Sequence, residues 1–302
     1  MGVVMTVKRR AFLLGGLGAG LGVVGIGAGV VTDVLPGGPS LRRALGMTGP
    51  DGTVPDVAAG PVHTGREHSA ARGTDVDVIT MTPDGVDSKG LPVCLVLHGR
   101  GGTARSWIDM GLPRFLTAAH EAGVPPFAVV AVDGGTDSYW VASRSGDDPQ
   151  RMLTEEVPGW LAKRGLRKSP CGVIGISMGG FGALNYVRRQ QKTPVAALLS
   201  PALFRTWAEA SSRGVFPDSG LWEAKEPLRH IDEIKGVPLG VWCGTEDSFI
   251  TSTRALIDAA HPSVAAISSG AHENAYWLRV LPDALRFIGA HLVPGGKAPS
   301  GG

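Results

Sequence analysis

Short apolar runs alternate with amphipathic stretches from about residue 63 to residue 292, and this pattern predicts an α/β domain. Uninterrupted apolar runs are typical of parallel strands that are buried on both faces of a sheet. We therefore expect a mostly parallel central sheet flanked by helices, with no large cap domain. The predicted strands span 75–83, 91–99, 126–135, 171–176, 194–203, 237–244 and 262–268.

Helical spacing of apolar residues predicts the covering helices. One helix is expected at 114–123, one at 150–165 with an interruption at Pro158, and one directly after Ser177. The last predicted helix carries an apolar face with spacings of three and four residues, made of Trp277, Leu281, Ala284, Leu285, Ile288 and Leu292.

The first 34 residues have a different character. A basic cluster at 8–10 is followed by a stretch without charge at 11–32, and this order is typical of an export signal. The run RRAFL at 9–13 resembles a twin-arginine signal, while an ordinary secretory signal and a retained membrane anchor remain as alternatives. We expect an exported protein, extracellular or associated with the cell envelope, that contacts a membrane only through this segment.

These patterns predict four segments: the signal or anchor at 1–34, a linker at 35–62, the folded domain at 63–292 and a flexible tail at 293–302. The chain of 302 residues has 29 basic and 27 acidic side chains, so its net charge of +2 argues against nucleic acid as a partner. Of the three cysteines at least one lacks an intramolecular partner, and no spacing typical of a metal site occurs.

Candidate catalytic residues follow the predicted strands, at the edge where parallel sheets bind ligands. The loop HGRGG follows strand 91–99, Ser177 follows strand 171–176, the acidic loop GTED follows strand 237–244, and His272 follows the last strand. The pattern G-x-S-x-G alone means little in a chain with 45 glycines. The chain order serine, acid, histidine at these strand ends is that of the α/β-hydrolase triad.

Each of these residues has an expected role. Ser177 is the candidate nucleophile and His272 the base that accepts its proton. An acid must orient the imidazole and stabilise its charged form, and we favour Asp247 over its neighbour Glu246 for this role.

The negative charge that develops on a substrate carbonyl needs fixed N–H donors. The backbone N–H groups of Met178 and of Arg100 are the candidates for this oxyanion hole. Tyr139 and Trp140 follow a strand at the same edge and are expected in the substrate pocket, and the segment 211–222 is expected to form its lip.

Four stretches of the chain resemble the esterase D family of α/β-hydrolase serine esterases, which also includes the secreted mycolyltransferases. They are LVLHGRGG, VDGGTDSYW, TEEVPGWL and GISMGGFGALNYV, and the likeness extends over about 66–290. The resemblance implies a serine esterase or acyltransferase without metal or organic cofactor. It assigns the triad to Ser177, Asp247 and His272, and the oxyanion hole to Arg100 and Met178.

The resemblance also implies which ester chemistry to expect. In the mycolyltransferases the acid is a glutamate and an arginine of the glycine loop helps to hold trehalose, whereas here Gly101 stands at that position. A general ester hydrolase acting on a small-molecule or cell-envelope ester is therefore favoured. The alternatives are an acyltransferase with a sugar or cell-envelope acceptor, and a non-catalytic secreted protein that binds carbohydrate or protein.

Overall fold

The computed structural model describes residues 43–190 and 194–292. The predicted signal at 1–34, the start of the predicted linker at 35–42 and the predicted tail at 293–302 lie outside the described residues. The chain divides into two compact units after Met47. In the first, residues 43–47 form a turn in which the N–H of Gly46 donates to the carbonyl of Arg43 at 2.9 Å. No helix among the described residues is long and apolar enough to cross a membrane.

The second unit contains a mostly parallel sheet, as predicted. Its strand order is β1-β2-β4-β3-β5-β6-β7-β8, with antiparallel pairing of β1 with β2 and of β2 with β4 and parallel pairing elsewhere. The strands are β1 (Val62–Ser69), β2 (Thr74–Met81), β3 (Val93–Leu97), β4 (Ala128–Val132), β5 (Gly172–Ile176), β6 (Val195–Leu199), β7 (Leu239–Gly244) and β8 (Val264–Ser268).

The edge strand β1 was not predicted, because its sequence VHTGREHS has no alternating apolar pattern. Its residues are mostly exposed, and it is held by backbone pairing with β2 from Val62 opposite Met81 to Ser69 opposite Thr74. Residues 48–62 of the predicted linker belong to this unit, and the N–H of Gly52 donates to the carbonyl of Ala275 at 2.7 Å.

Helices cover both faces of the sheet. Pro158 lies in the first turn of a helix that a π-helical turn at Met152–Glu156 precedes, which explains the interruption expected there. The helices are α1 (Ser106–Asp109), α2 (Leu112–Glu121), α3 (Pro149–Arg151), α4 (Val157–Lys163), α5 (Met178–Val187), α6 (Trp207–Ser211), α7 (Ser219–Lys225), α8 (Ile250–Ala260) and α9 (Asn274–Ala290).

Burial on both faces accounts for the apolar runs. In β3, Val93, Leu95 and Leu97 pack into one hydrophobic layer, while Cys94 and Val96 pack into the other. Such a strand cannot show the polar alternation of a half-exposed strand. The apolar face of α9 belongs to the same layer as Cys94 and Val96.

The sheet topology fixes the place of the functional loops. β3 lies between β4 and β5. After β3 the chain adds β4 on one side of it and then β5 on the other side. Ligand sites of open parallel sheets lie at such a switch point, at the carboxyl ends of the strands. The glycine loop at 98–102 and Ser177 both emerge there.

The long excursion between β6 and β7 is held by a buried carboxylate. Glu226 accepts the backbone N–H groups of Phe204 at 3.1 Å and Leu228 at 3.2 Å, and the indole N–H of Trp222 at 3.3 Å. Burial raises the pKa of Glu226 to about 8, although these hydrogen bonds favour the ionised form. Glu226 thus ties the start of the excursion, at Phe204, to its middle part.

Candidate active site

Ser177 occupies a strained turn between β5 and α5. Its backbone has φ 54° and ψ −118°, a conformation that side-chain-bearing residues rarely adopt. A Cβ atom on Gly175 would collide with the carbonyl of Gly179, and one on Gly179 would collide with the carbonyl of Leu97. Glycine is therefore required on both sides of the serine, which is the physical content of the G-x-S-x-G pattern.

Hydrogen bonds hold the turn in place. The N–H of Ser177 donates to the carbonyl of Leu199 at 2.9 Å, and its carbonyl accepts from the N–H groups of Gly180 at 2.9 Å and Ala202 at 3.0 Å. Strain of this kind persists only where the surrounding structure fixes it.

The structure brings Ser177, His272 and Asp247 into one hydrogen-bonded chain. Nε2 of His272 lies 2.8 Å from Oγ of Ser177, and Nδ1 lies 3.0 and 2.9 Å from the two carboxylate oxygens of Asp247. Because a carboxylate only accepts, Nδ1 carries the proton and Nε2 is left to accept the serine hydroxyl. Three residues separated by up to 95 positions thus meet at the carboxyl ends of β5, β7 and β8.

Asp247 is held in its ionised form. Its side chain is fully buried, and burial alone would raise its pKa. The hydrogen bond and charge of His272 and the N–H of Phe249, which donates at 2.8 Å, more than offset this effect, so the pKa lies below the usual range. The other candidate acid, Glu246, is half-buried, and its backbone N–H donates to the carbonyl of Gly270.

Two aromatic rings position the imidazole. The ring of Phe249 lies 5.2 Å from that of His272, and the indole of Trp277 meets it edge-on at 5.1 Å. The indole N–H of Trp277 donates to the hydroxyl of Ser200 at 3.0 Å, which fixes the indole in turn. The histidine therefore has little freedom to rotate away from Ser177.

The glycine loop is rigid around Arg100. The neighbouring N–H groups of Gly101 and Gly102 donate to the carbonyls of Thr136 at 2.6 Å and Gly99 at 3.1 Å. Among the described residues, the N–H groups of Arg100 and Met178 have no acceptor. Both predicted oxyanion donors thus remain available for a ligand.

His98 fixes this loop from below. Its Nδ1–H donates to the carbonyl of Gly99 at 2.9 Å, and its Nε2 accepts the N–H of Gly134 at 3.0 Å. Burial lowers its pKa, so the ring is neutral and can make both bonds. His98 thus joins the glycine loop to the segment that follows β4.

A cavity of about 580 Å³ opens over Ser177 and His272. The glycine loop forms one wall, and Phe249, Trp277 and Arg213 contribute to the others. Tyr139, which the sequence placed in the substrate pocket, lines this cavity, and its ring packs edge-on against Phe181 at 5.6 Å.

Trp140, which the sequence also placed in the substrate pocket, lies in the core instead. Its side chain is fully buried, its ring lies 5.0 Å from that of His98, and its indole N–H donates to the carbonyl of His98 at 3.2 Å. Both Tyr139 and Trp140 have left-handed backbones. The indole fills space that Gly134 and Gly182 leave free.

The model of the Esterase family, described as "Putative esterase", matches residues 69–288, well over half of the chain. The chain belongs to the esterase family. The likeness to the esterase D family that the sequence motifs indicated is thereby confirmed, and the family supports an esterase or hydrolase activity. No curated protein sequence matches the chain significantly.

Solved structures agree with the fold of this esterase. A ferulic acid esterase matches with a TM-score of 0.65 at 18% identity, covering 78% of this chain and 99% of that chain. FphF, a fluorophosphonate-binding serine hydrolase of Staphylococcus aureus, has a TM-score of 0.64 at 18% identity, and the match covers 77% of this chain and 99% of FphF. Mycobacterium tuberculosis MPT51 (FbpC1) has a TM-score of 0.63 at 18% identity, and the match covers 78% of this chain and 100% of MPT51. These matches confirm the predicted α/β-hydrolase fold.

Sequence reasoning missed three side chains of the esterase's site. Phe249 follows Asp247 by two positions and Trp277 follows His272 by five, so an aromatic residue close to a candidate triad residue was the available signal. Trp277 was predicted for the core face of α9, but it is half-buried and contacts His272. Arg213 lies in the predicted lip, and no pattern in the sequence distinguishes it from other arginines.

Proposed function

We propose that this esterase is an exported serine hydrolase that cleaves carboxylic esters through a covalent acyl-enzyme. The observation that carries the proposal is the hydrogen-bonded chain from Ser177 through His272 to the buried Asp247, at the floor of a cavity. A serine hydroxyl becomes a competent nucleophile only when a neighbouring base takes its proton, and this arrangement supplies that base.

In the first half of the reaction, Oγ of Ser177 attacks the ester carbonyl while its proton moves to Nε2 of His272. The carboxylate of Asp247 stabilises the imidazolium that forms. The carbon–oxygen bond to the alcohol then breaks as His272 returns the proton to the leaving oxygen. The product alcohol departs and the acyl group stays on Ser177.

In the second half, a water molecule attacks the acyl-enzyme and gives its proton to His272. The bond between the acyl carbon and Oγ of Ser177 then breaks as His272 returns the proton to Oγ, which releases the acid and restores Ser177. Both halves pass through a tetrahedral intermediate with a negative oxygen, which the N–H groups of Arg100 and Met178 are placed to hold. The donors are fixed before the substrate arrives, and such preorganised groups are usually the largest source of rate enhancement.

The proposed substrates are small-molecule or cell-envelope esters. The proposal is supported by the absence of a large cap over the cavity in the described residues, which leaves the site open to substrates of varied size.

Reaction with a fluorophosphonate probe tests this function. We expect the purified protein to be labelled on Ser177, as determined by peptide mapping, because the probe reacts with a serine that a base activates. Ser177→Ala protein should remain folded, take up no label and lose hydrolysis of short aryl esters. Unlabelled folded wild-type protein, or ester hydrolysis that survives in Ser177→Ala, would contradict the assignment.

Export is proposed from the basic cluster and uncharged stretch of residues 8–32. A fusion of residues 1–62 to a periplasmic reporter is expected to direct export, and the double change Arg9→Lys and Arg10→Lys is expected to abolish it. Unchanged export in the double variant would point to the general secretory route instead.

A further inference from the structure

One arginine at the cavity lacks the acidic partner that a half-buried cation normally has. Arg213 lines the cavity together with Ser177 and His272. Among the described residues it forms no ion pair, and its buried Nε–H has no hydrogen-bond acceptor. Buried polar groups are almost always hydrogen-bonded, so this donor needs an explanation.

Two acids near Arg213 pair with other arginines. Oδ2 of Asp137 accepts from the guanidinium of Arg100 at 2.7 Å, while its Oδ1 is buried without a hydrogen-bond partner. Glu209 lines a neighbouring cavity with Arg213, but its carboxylate pairs with Arg205. The guanidinium of Arg100 is thus paired with a carboxylate, whereas that of Arg213 has no carboxylate partner among the described residues.

Arg213 is held close to the reacting groups. Its Cζ lies 5.0 Å from the centre of the Phe249 ring, which itself lies 5.2 Å from the imidazole of His272. A single phenyl ring therefore separates the free cation from the general base. The carbonyl of Arg213 accepts from the guanidinium of Arg100 at 3.3 Å, which ties this part of the chain to the glycine loop.

We infer that Arg213 binds a carboxylate carried by the ester substrate. The Nε–H and one terminal N–H of a guanidinium form a planar fork that matches the two oxygens of a carboxylate. One uncompensated positive charge suits one negative charge, and such a ligand would also satisfy the buried Nε–H. The inference rests on the proposed function and specifies its substrate class as esters with a carboxylate on the acyl or the alcohol side.

Two pairs of esters that differ only in charge test the inference. On the acyl side, mono-4-nitrophenyl glutarate is compared with the 4-nitrophenyl ester of glutaramic acid. On the alcohol side, 4-acetoxybenzoate is compared with 4-acetoxybenzamide. We expect wild-type kcat/KM to favour the anionic member of one pair by about tenfold or more, and the responding pair identifies the side that carries the carboxylate.

Substitutions assign the preference to Arg213. Arg213→Gln is expected to reduce the anionic-to-neutral ratio of kcat/KM at least tenfold, and Arg213→Lys, which keeps the charge without the fork, to reduce it partly. The matched control is Arg286→Gln, which removes the same charge from an exposed residue of α9 that does not line the cavity. A ratio that falls equally in this control would show a general effect of charge and overturn the inference.

Binding to Ser177→Ala protein separates this inference from the proposed function. Calorimetry should show tighter binding of an anionic ester than of its amide partner, and Arg213→Gln in the same background should remove the difference. Equal affinity, or no binding of any of the four esters, overturns the role of Arg213 even if wild-type protein is an esterase. Selective binding without hydrolysis by wild-type protein would instead contradict the proposed function and leave the anion site standing.

Discussion

At the scale of single residues, the site depends on side chains whose environment opposes their ordinary state. Ser177 has a left-handed backbone, and Asp247 is ionised although it is buried. Each is stabilised by fixed hydrogen bonds, from the backbone around the turn for the serine and from His272 and Phe249 for the aspartate. The reactivity proposed for this site depends on partners that folding brings to each residue, since neither residue is reactive alone.

The two neighbouring acids of the GTED loop give the first residue-scale prediction. Asp247→Asn should lower kcat about a thousandfold or more, because an amide cannot stabilise the imidazolium and favours the wrong tautomer of His272. Glu246→Gln should cause a much smaller loss. Steady-state kinetics with an aryl ester measures both, and comparable losses in the two variants would reject Asp247 as the acid.

At the scale of elements, the strand, turn and helix around Ser177 require close backbone approach. α5 packs directly over β5 and against Trp140, which glycines at 175, 179 and 182 make possible. The polar and apolar pattern predicts these elements, and the glycine spacing predicts their tight junction. The aromatic partner of Gly182 comes from a distant loop, and only the folded structure identifies it.

Two helical glycines provide a matched test of this packing. A Cβ on Gly182 would collide with the indole of Trp140, whereas a Cβ on the exposed Gly159 of α4 meets no atom within 4 Å. Gly182→Ala should therefore lower the free energy of unfolding by about 1–3 kcal/mol through overpacking. Gly159→Ala should raise it by about 0.5–1 kcal/mol through reduced backbone entropy of the unfolded chain.

Denaturant titration of both variants measures these changes in the free energy of unfolding. If Gly182→Ala proved as stable as Gly159→Ala, the indole of Trp140 would have to lie elsewhere, and its assignment to the core would be wrong.

At the scale of the whole molecule, buried and paired carboxylates set opposite limits on stability. The pKa of Asp247 is lowered, so the ionised side chain stabilises the folded protein. This stabilisation is present above pH 3.8, the ordinary pKa of the group, and is lost as pH falls through the folded-state pKa. Glu67, paired with Arg164, acts in the same direction. Glu226 has the opposite effect because its pKa is raised. Its stabilisation of the folded protein is fully present below pH 4.5 and is lost as pH rises through about 8.

Replacing Glu226 with glutamine, a mimic of its protonated form, tests the alkaline limit. We expect the free energy of unfolding of wild-type protein, relative to Glu226→Gln, to decrease between pH 4.5 and pH 8 and to level off above. Denaturant titrations at pH 5, 7 and 9 provide the comparison. A difference that is independent of pH would mean that the three N–H donors keep Glu226 ionised throughout this range.

The sequence by itself determined the local features of this protein. Strand and helix periods and backbone sterics act over a few residues, so short stretches of sequence are enough to predict such features. These features are the buried strands, the amphipathic last helix, the glycine-flanked serine and the order of the loops that carry the candidate catalytic residues. The polar edge strand β1 was not predicted from the sequence, since it is defined by pairing with β2 and has no apolar pattern of its own.

The tertiary structure alone decided which of several adjacent side chains reaches the site. Asp247 rather than Glu246 meets His272, and Tyr139 rather than Trp140 faces the cavity. In irregular loops a shift of one position turns a side chain in another direction, and no period in the sequence records that direction. The uncompensated charge of Arg213 likewise depends on Asp137 and Glu209 being paired with other arginines, a property of non-local packing that no short stretch of sequence contains.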